Sequence, residues 1–187
     1  MKRLVILTVG KTHSGKSTFA KQLEDQLANS FVMDQDNHAA FLNEHYEKLV
    51  PVSGPNTLKH RLSETIATYA KTQTDLHFIV CNANLHRRDR QFLLNEMYPA
   101  NEFMRIIVYF DIDSTILQER IKNSDRNTYI LRKHCNNFQE VLMKQENDSN
   151  VEPPTCEEAD YLFQLTNCNE TQTIIEKIIR IAKNALS

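Results

Sequence analysis

The chain carries the segment GKTHSGKS at Gly10–Ser17, directly after the apolar run Leu4–Val9. The segment fits the pattern G-x-x-x-x-G-K-S/T. Phe19, Leu23 and Leu27 follow at spacings of four and predict one face of a helix that begins where the segment ends. A loop of this kind, between a strand and a helix, presents backbone N–H groups and the positive end of the helix dipole to a polyphosphate. The segment therefore predicts a phosphate-binding loop, and the alternative is an ordinary strand-to-helix turn.

Two side chains of this loop have specific expected roles. Lys16 is expected to reach the β- and γ-phosphates of a nucleotide, and the Ser17 hydroxyl is expected to ligate Mg²⁺. The chain has no Asn-Lys-x-Asp segment for guanine recognition, which favours ATP over GTP. The residues of the loop predicted to contact the nucleotide are Gly10, Thr12, His13, Ser14, Gly15, Lys16, Ser17 and Thr18.

Short apolar runs alternate along the chain with amphipathic stretches. This pattern is typical of an α/β fold in which a parallel sheet is covered by helices on both faces. One domain over residues 1–187 is expected from the length. The predicted strands are Leu4–Val9, Phe31–Asp34, Leu76–Cys81, Met104–Phe110 and Tyr161–Leu165.

The helices are predicted from apolar spacing and from capping residues. Asp113 is expected to cap one helix, and Tyr129–Gln145 is predicted as a single longer helix. Ile174, Ile178 and Ala182 mark a closing amphipathic helix. The helix before the third strand is expected to be striped by Leu58, Leu62, Ile66 and Tyr69.

Composition excludes several classes of protein. The formal net charge is −2 with no long run of like charges, which argues against a dedicated non-specific nucleic-acid binder. A nucleic-acid partner is therefore possible but not favoured. Leu4–Val9 is too short to cross a membrane and lacks a signal-peptide cleavage site, which predicts a cytoplasmic protein with no membrane partner. The four cysteines lack the spacing of zinc ligands.

Asp34 and Asp36 follow the second predicted strand. In doubly wound sheets the carboxyl ends of the strands form the ligand crevice, so these carboxylates are expected beside the phosphate-binding loop. Asp36 is favoured as the base that receives the proton of an acceptor hydroxyl, with Asp34 in support. The alternative role for Asp36 is to cap the next helix.

Basic residues gather after the fourth strand, where a lid over the phosphates is expected at about residues 120–150. Arginines in such a lid stabilise transition-state charge while closure excludes water. Arg126 and Arg132 are the favoured catalytic candidates. The alternative is a solvated helical face. The basic residues of this region are Arg120, Lys122, Arg126, Arg132 and Lys133.

The chain resembles P-loop kinases of the polynucleotide kinase and zeta-toxin type, a group of small AAA-type ATP-binding kinases. The resemblance rests on Gly10–Ser17, on Asp34-Gln35-Asp36 and on the segment Cys81–Arg90, which is similar to the family's Asp-x-Asn-Leu run followed by arginines. It implies a three-layer sandwich with strand order 2-3-1-4-5, ATP with Mg²⁺, and Asp36 as the activating aspartate. Asp34–Asn37 is also similar to the Asp-Gly-Asp segments of adenylylsulfate and gluconate kinases, so the acceptor stays open.

Two positions depart from the family pattern. Family members usually carry an acidic residue at the tip of the third strand, where this chain has Asn82 or Cys81. Asp111 is a possible substitute, which makes Ser17, Asp34 and Asp111 the candidate Mg²⁺ ligands. His38 stands where polynucleotide kinases tend to place an arginine that binds the acceptor's phosphate. This difference argues against a nucleic acid as the acceptor.

The resemblance also suggests residues for the two substrates. In similar kinases the adenine lies near the lid and the loop after the fifth strand, which points to Arg120 and Asn167. The candidates for acceptor binding are Asp36, His38, Asn84 and Arg87.

Two functions of different classes remain. The first is an ATP-dependent kinase that phosphorylates a hydroxyl of a small molecule, a nucleoside or a nucleic-acid 5′ end. A toxin-like kinase of nucleotide sugars differs from this only in its acceptor. The second is an ATP-binding regulatory module or weak ATPase without a dedicated acceptor, suggested by Asn82.

Overall fold

A computed structural model describes residues 2–131 and 137–186 of the chain. Its five strands form one sheet in the order β2-β3-β1-β4-β5, and every neighbouring pair is parallel. The predicted fold class and strand order are confirmed. Each predicted strand end lies within one residue of the observed one. The strands are β1 Arg3–Gly10, β2 Ser30–Asp34, β3 His77–Cys81, β4 Phe103–Phe110 and β5 Tyr161–Leu165.

Seven α-helices connect and flank these strands within the described ranges. The helix after β3 continues as a π-helical turn over Leu93–Met97. None of the helices in the described ranges is long and apolar enough to cross a membrane. The helices are α1 Lys16–Gln26, α2 Gln35–His45, α3 Thr57–Gln73, α4 Arg87–Phe92, α5 Ser114–Lys122, α6 Phe138–Asn147 and α7 Thr171–Leu186.

The core has two layers because successive side chains of a strand point to opposite faces of the sheet. Leu4 and Ile6 of β1 pack in one layer with residues of α1, α5, α6 and α7. Val5 and Leu7 pack in the other layer with α3 and the turn after α4. All four side chains are at most 1% exposed, and each contributes about 1.5–3 kcal/mol of burial free energy. Burial on both faces explains why β1 is apolar from Leu4 to Val9 except at Thr8.

The helix predicted over Tyr129–Gln145 is wrong in its first part. Thr128–Ile130 forms one 3₁₀ turn, after which Leu131 is extended. The α-helix starts only after Asn137, whose side chain accepts a hydrogen bond from the backbone N–H of Glu140. Asparagine three residues before glutamate is a helix-start signal. Because apolar residues continue at helical spacing across this boundary, the spacing alone does not reveal it. The predicted cap at Asp113, at the start of α5, is confirmed.

The stripe predicted for α3 only partly matches the face that the helix buries, since Ile66 packs against the core. Its buried residues are Ser63, Ala67 and Ala70, whereas Tyr69 is 67% exposed. Small side chains let the helix axis approach the sheet closely, so the larger apolar residues lie at the flanks of the contact.

His77 links β3 to β1 in the core and carries a pH dependence. Its Nδ1 accepts a hydrogen bond from the backbone N–H of Leu4 at 3.1 Å. Burial lowers the pKa of His77, and the charge of Arg3 lowers it further. This histidine therefore binds a proton more readily in the unfolded chain than in the folded one. As the pH drops below about 6.5, the free energy of unfolding should decrease, by at most about 1.4 kcal/mol per pH unit from this group.

The variant His77→Asn keeps an acceptor oxygen but does not titrate. Urea unfolding at several pH values should show a smaller loss of stability on acidification than in the wild type. Exposed His45→Asn serves as the control and should follow the wild type. Equal slopes for His77→Asn and the wild type would assign the acid sensitivity to other groups.

Candidate active site

The phosphate-binding loop joins β1 to α1 and depends on two glycines for separate reasons. A Cβ on Gly10 would lie 2.8 Å from Phe110 Cβ and 2.9 Å from Ser14 Oγ, so only glycine lets the loop pass β4. Gly15 is the N-cap of α1 and has a φ of 101°, a conformation that favours glycine. A glycine there also leaves the first turn of α1 without a capping side chain, so its N–H groups stay available to an anion.

Lys16 begins α1, and its ammonium turns back over the loop. Nζ donates to the Lys11 carbonyl at 2.6 Å and to Ser14 Oγ at 3.2 Å. Burial lowers the pKa of Lys16 to about 8, against an opposing effect of the carboxylates of Asp36 and Asp34. Both hydrogen-bond acceptors are neutral, so the oxygens of a polyphosphate would supply the negative charge that this ammonium favours.

Ser17 meets side chains from the ends of two strands. Its hydroxyl donates to Asp34 Oδ2 at 3.1 Å and lies 3.7 Å from Cys81 Sγ. Burial raises the pKa of Cys81 to about 11, so the thiol is neutral at neutral pH. The carboxylate that contacts Ser17 therefore comes from β2 and not from β3.

Asp34 and Asp36 have different roles in the structure. Asp34 caps α2, because its Oδ1 accepts a hydrogen bond from the backbone N–H of Asp36 at 2.9 Å. The carboxylate of Asp36 instead pairs with Arg126, with Nη2 and Oδ2 2.6 Å apart. The capping role considered for Asp36 thus belongs to Asp34, and the side chain of Asp36 is directed toward the lid region.

The residues after α5 contact the loop directly. Arg120 donates to the His13 carbonyl at 3.1 Å, and His13 Nε2 lies 3.1 Å from Ser124 Oγ. The ring of Phe138 lies 4.7 Å from that of His13 and 5.1 Å from the guanidinium of Arg126. Burial lowers the pKa of His13, with further contributions from nearby cations. A neutral imidazole therefore links the loop to this region at neutral pH.

One cavity of about 1170 Å³ brings these groups together, somewhat larger than the roughly 300–1,000 Å³ usual for ligand sites. It extends from the loop across the ends of β1, β2 and β3 to the lid region. The predicted residues that line it are Thr12, His13, Ser14, Gly15, Lys16, Ser17, Thr18, Asp34, Asp36, Arg120, Arg126 and Asn167.

Residues 5–146, about three quarters of the chain, match the sequence profile of the AAA domain. The chain belongs to the AAA domain family. This result, together with the folds below, agrees broadly with the P-loop kinase group that the sequence resembles. No protein with a curated description matches the sequence.

Solved structures share the fold of this AAA domain at low sequence identity. APS kinase of Mycobacterium tuberculosis, in complex with AMPPNP and APS, has a TM-score of 0.63 and 16% identity over 97% of this chain and 98% of that one. Kti12 of Chaetomium thermophilum, in complex with ADP-AlF3, has a TM-score of 0.61 and 14% identity over 93% of this chain and 96% of that one. A gluconokinase of Sinorhizobium meliloti has a TM-score of 0.57 and 15% identity over 99% of this chain and 98% of that one.

Asp111 of this AAA domain does not reach the cavity, contrary to its prediction as a Mg²⁺ ligand. Its carboxylate accepts hydrogen bonds from Gln164 Nε2 at 2.9 Å and from the Tyr109 hydroxyl at 3.4 Å. The backbone N–H of Asp111 bonds to the Leu165 carbonyl, which continues the ladder of β4 and β5. Because side chains alternate along a strand, Phe110 faces the loop and Asp111 faces away.

Two of the predicted acceptor-binding residues also lie away from this cavity. His38 Nδ1 lies 2.8 Å from Ser63 Oγ, and burial lowers the pKa of His38. Arg87 is exposed at the start of α4 and is not among the residues that line the cavity. Of the predicted acceptor-binding residues, Asp36 alone lines it.

Asn84 does not line this cavity; it faces a neighbouring cleft and also links two loops. It is 7% exposed, has a φ of 48°, and its Nδ2 donates to the Thr8 carbonyl at 2.9 Å. The neighbouring Ala83 carbonyl accepts a hydrogen bond from the Gly10 N–H at 2.9 Å. These bonds fix the loop after β3 against the start of the phosphate-binding loop. Arg132 lies outside the described residues.

Sequence reasoning missed two residues of the site that come from α6. Gln145 Oε1 accepts a hydrogen bond from the Thr12 N–H at 2.8 Å, and Phe138 supplies the ring beside His13. Gln145 is 133 residues from Thr12 in the chain, so no local motif joins them. The capping signal of Asn137 was the one available indication that α6 starts at Phe138.

The structural role of Arg90 was not predicted from the sequence. Arg90 is fully buried in this AAA domain and pairs with Glu158 through two bonds of 2.8 and 3.0 Å. It also donates to the carbonyls of Asn84, Leu85 and Glu152 at 2.9–3.1 Å. One guanidinium therefore holds the loop after β3 to the segment before β5.

The variant Arg90→Met should lower the free energy of unfolding by about 3–5 kcal/mol, because it leaves the buried carboxylate of Glu158 unpaired. Urea unfolding measures this loss. The control Arg87→Met, in the exposed first turn of the same helix, should change stability by less than about 0.5 kcal/mol. The double variant Arg90→Met with Glu158→Leu should recover part of the loss. A cost below about 1 kcal/mol for Arg90→Met would contradict this account.

Proposed function

We propose that this AAA domain is an ATP-dependent phosphotransferase that moves the γ-phosphate of Mg-ATP to a hydroxyl group. The observation that carries the proposal is the placement of the Asp36–Arg126 pair in the same cavity as Lys16 and the phosphate-binding loop. A carboxylate base and a guanidinium, opposite a phosphate-binding ammonium, are the groups that phosphoryl transfer to a hydroxyl requires. The APS kinase and gluconokinase folds support this class of reaction.

Each of these side chains has one task in the transfer. Asp36 receives the proton of the acceptor hydroxyl while the oxygen forms its bond to the γ-phosphorus. The bond from that phosphorus to the bridging oxygen breaks, and ADP leaves. Lys16 and Arg126 stabilise the negative charge on the transferred group. We assign Arg132 to the same task, and residues 120–150 to a lid of a single domain over residues 1–187.

The residues beside the loop suit Mg²⁺. A hydroxyl and a carboxylate, from Ser17 and Asp34, are the hard oxygen donors that this ion prefers. When bound, the ion neutralises charge on the β- and γ-phosphate oxygens. The described parts of the chain contain no group of three or more His, Cys, Asp or Glu residues able to hold a metal. In this proposal Ser17 and Asp34 would hold the ion beside a bound nucleotide.

The decisive experiment combines binding with transfer. Calorimetry with ATP, GTP and ADP, with and without Mg²⁺, measures nucleotide affinity. The same samples then receive radiolabelled ATP with nucleosides, 5′-hydroxyl oligonucleotides and sugars. We expect Mg-ATP to bind and one acceptor class to become labelled. Tight binding of Mg-ATP without transfer to any acceptor would overturn the proposal.

A regulatory nucleotide-binding module is the second candidate, and one observation favours it. The end of β3 presents the neutral thiol of Cys81 and the amide of Asn82, which donates to Gln35 Oε1 at 3.0 Å. No carboxylate from β3 therefore assists at Ser17. This candidate requires a nucleotide-dependent change in affinity for a partner, together with no phosphate transfer.

A further inference from the structure

A second cleft of about 640 Å³ lies beside the nucleotide cavity. Its walls come from α3, from the loop after β3, from α4 with its π-helical turn, and from the C-terminal end of α6. Asn82, Ala83 and Gln145 line both cavities, so they form the boundary between them. A molecule seated in this cleft therefore lies next to the cavity that holds Asp36.

The cleft has an apolar side and a polar side. Phe92, Leu93 and Met97 supply the apolar side, and Phe92 is 50% exposed. The polar side consists of the buried side chains of Gln35 and Ser63 and the amide of Asn82. Asn82 Nδ2 donates to Gln35 Oε1 at 3.0 Å, and Ser63 Oγ donates to the Lys59 carbonyl at 3.0 Å. The groups for the hydroxyls of an uncharged ligand are therefore the acceptor Asn82 Oδ1 and the donor Gln35 Nε2.

The loop after β3, which forms one wall of the second cleft, is fixed in position before any ligand binds. Arg90 holds the carbonyls of Asn84 and Leu85, and Asn84 is bonded to Thr8. His86, the next residue of the same loop, ties it to the segment after α6, since its Nε2 lies 2.7 Å from the carboxylate of Asp148. A cleft with fixed walls binds a ligand at a smaller entropic cost than one that must be ordered.

The two cavities differ in the balance of charged side chains that line them. Glu64, Asp89 and Asp148 face the second cleft against Arg88 and Lys144, so carboxylates exceed cations. Of its two histidines, His86 lies between Asp148 and Asp89, and His60 is the other.

In the nucleotide cavity the balance is reversed. Lys16, Arg120 and Arg126 outnumber Asp34 and Asp36. Electrostatic complementarity therefore directs an anionic triphosphate to the nucleotide cavity and disfavours an anionic molecule in the second cleft.

We propose that this cleft binds the body of the acceptor and selects an uncharged hydroxyl compound of nucleoside size. The inference rests on the proposed function, because the reacting hydroxyl must reach Asp36. The ring of Phe92 offers a face for a planar or apolar group, and the amides of Gln35 and Asn82 bind hydroxyls. Acids such as APS or gluconate, which the names of two structural relatives imply, fit this charge pattern poorly.

The first test compares matched acceptors that differ in charge and keep a free primary hydroxyl. Adenosine is set against adenosine 3′-monophosphate, and glucose against gluconate, with kcat/KM for labelled phosphate transfer as the readout. The uncharged member should be preferred by at least about tenfold. Preference for either anion would overturn the proposal, and preference for the 3′-monophosphate would indicate a nucleic-acid end instead.

A charge variant tests the cleft itself. Glu64→Lys, at an exposed position of α3 that faces the cleft, should reduce the preference for the uncharged member several-fold. Its matched control is Glu44→Lys on α2, which is exposed and not among the residues that line the cleft. Equal ratios in both variants would show that the cleft does not set the selectivity.

A binding measurement separates this inference from the proposed function. Methyl-labelled methionine NMR should show Met97 shifting on addition of adenosine or glucose, while Met104 of β4 stays unchanged. If Mg-ATP binds and neither uncharged compound shifts Met97, the cleft assignment is wrong and the kinase proposal stands. If Met97 shifts and no acceptor is ever labelled, the cleft binds its ligand and the kinase proposal fails.

Discussion

Asp36→Asn is expected to lower kcat for phosphate transfer about 10²–10⁴-fold, the usual contribution of a positioned general base. The amide has the size of the carboxylate but does not receive the proton of the acceptor hydroxyl. Asp36 does not cap α2, because Asp34 does, so the fold should persist. Mg-ATP affinity should change by less than about threefold, since the partner of the Asp36 carboxylate is Arg126 and not a residue of the phosphate-binding loop.

The control for this variant is Asp25→Asn, at an exposed position of α1. It removes the same charge at a distance from the lid and should transfer phosphate at the wild-type rate. Normal kcat in Asp36→Asn, with the true acceptor saturating, would show that another group receives the proton.

Lys16→Ala is expected to lower kcat/KM for ATP by about 10³-fold, at the upper end of the loss caused by removing one donor from an oxyanion site. The charge that contacts the phosphates disappears. The protein should remain at least as stable as the wild type, because burial lowers the pKa of Lys16 and so disfavours its charged form. Loss of activity in a protein that unfolds at an unchanged or higher urea concentration separates catalysis from folding.

Lys21→Ala is the matched control, because Lys21 lies on the same helix and its side chain is 66% exposed. Its ion pairs with Glu24 and Asp25 are solvent-exposed and contribute little. Binding and turnover should match the wild type. If Lys16→Ala binds Mg-ATP as tightly as Lys21→Ala does, the loop does not hold the nucleotide in the way proposed.

The strands were predictable because burial leaves a direct mark on sequence. β1 has to be apolar on both faces, and its run of residues shows this without knowledge of its partners. The helices were harder, since apolar spacing continues through the 3₁₀ turn at Thr128–Ile130. In α3 the close contact is made by Ser63, Ala67 and Ala70, which carry a weak apolar signal.

The phosphate-binding loop was predictable because its chemistry lies within eight consecutive residues. Positions that depend on strand register or on distant partners were not. Asp111 was assigned to the wrong face because alternation places Phe110 over the loop. Asn84 and His38 are bonded to Thr8 and Ser63, at sequence separations of 76 and 25 residues. The contact of Gln145 with Thr12 has no signal at all in the linear sequence.

The contacts within the phosphate-binding loop have a thermodynamic consequence. Lys16 already bonds to the Lys11 carbonyl and Ser14 Oγ, and the Thr12 N–H already bonds to Gln145. An arriving nucleotide must exchange these bonds for its own, so the heat of association is a difference between similar quantities. The loop is therefore bonded to itself and to α6 before a ligand binds, and the bond to Gln145 must break before the Thr12 N–H can contact a nucleotide.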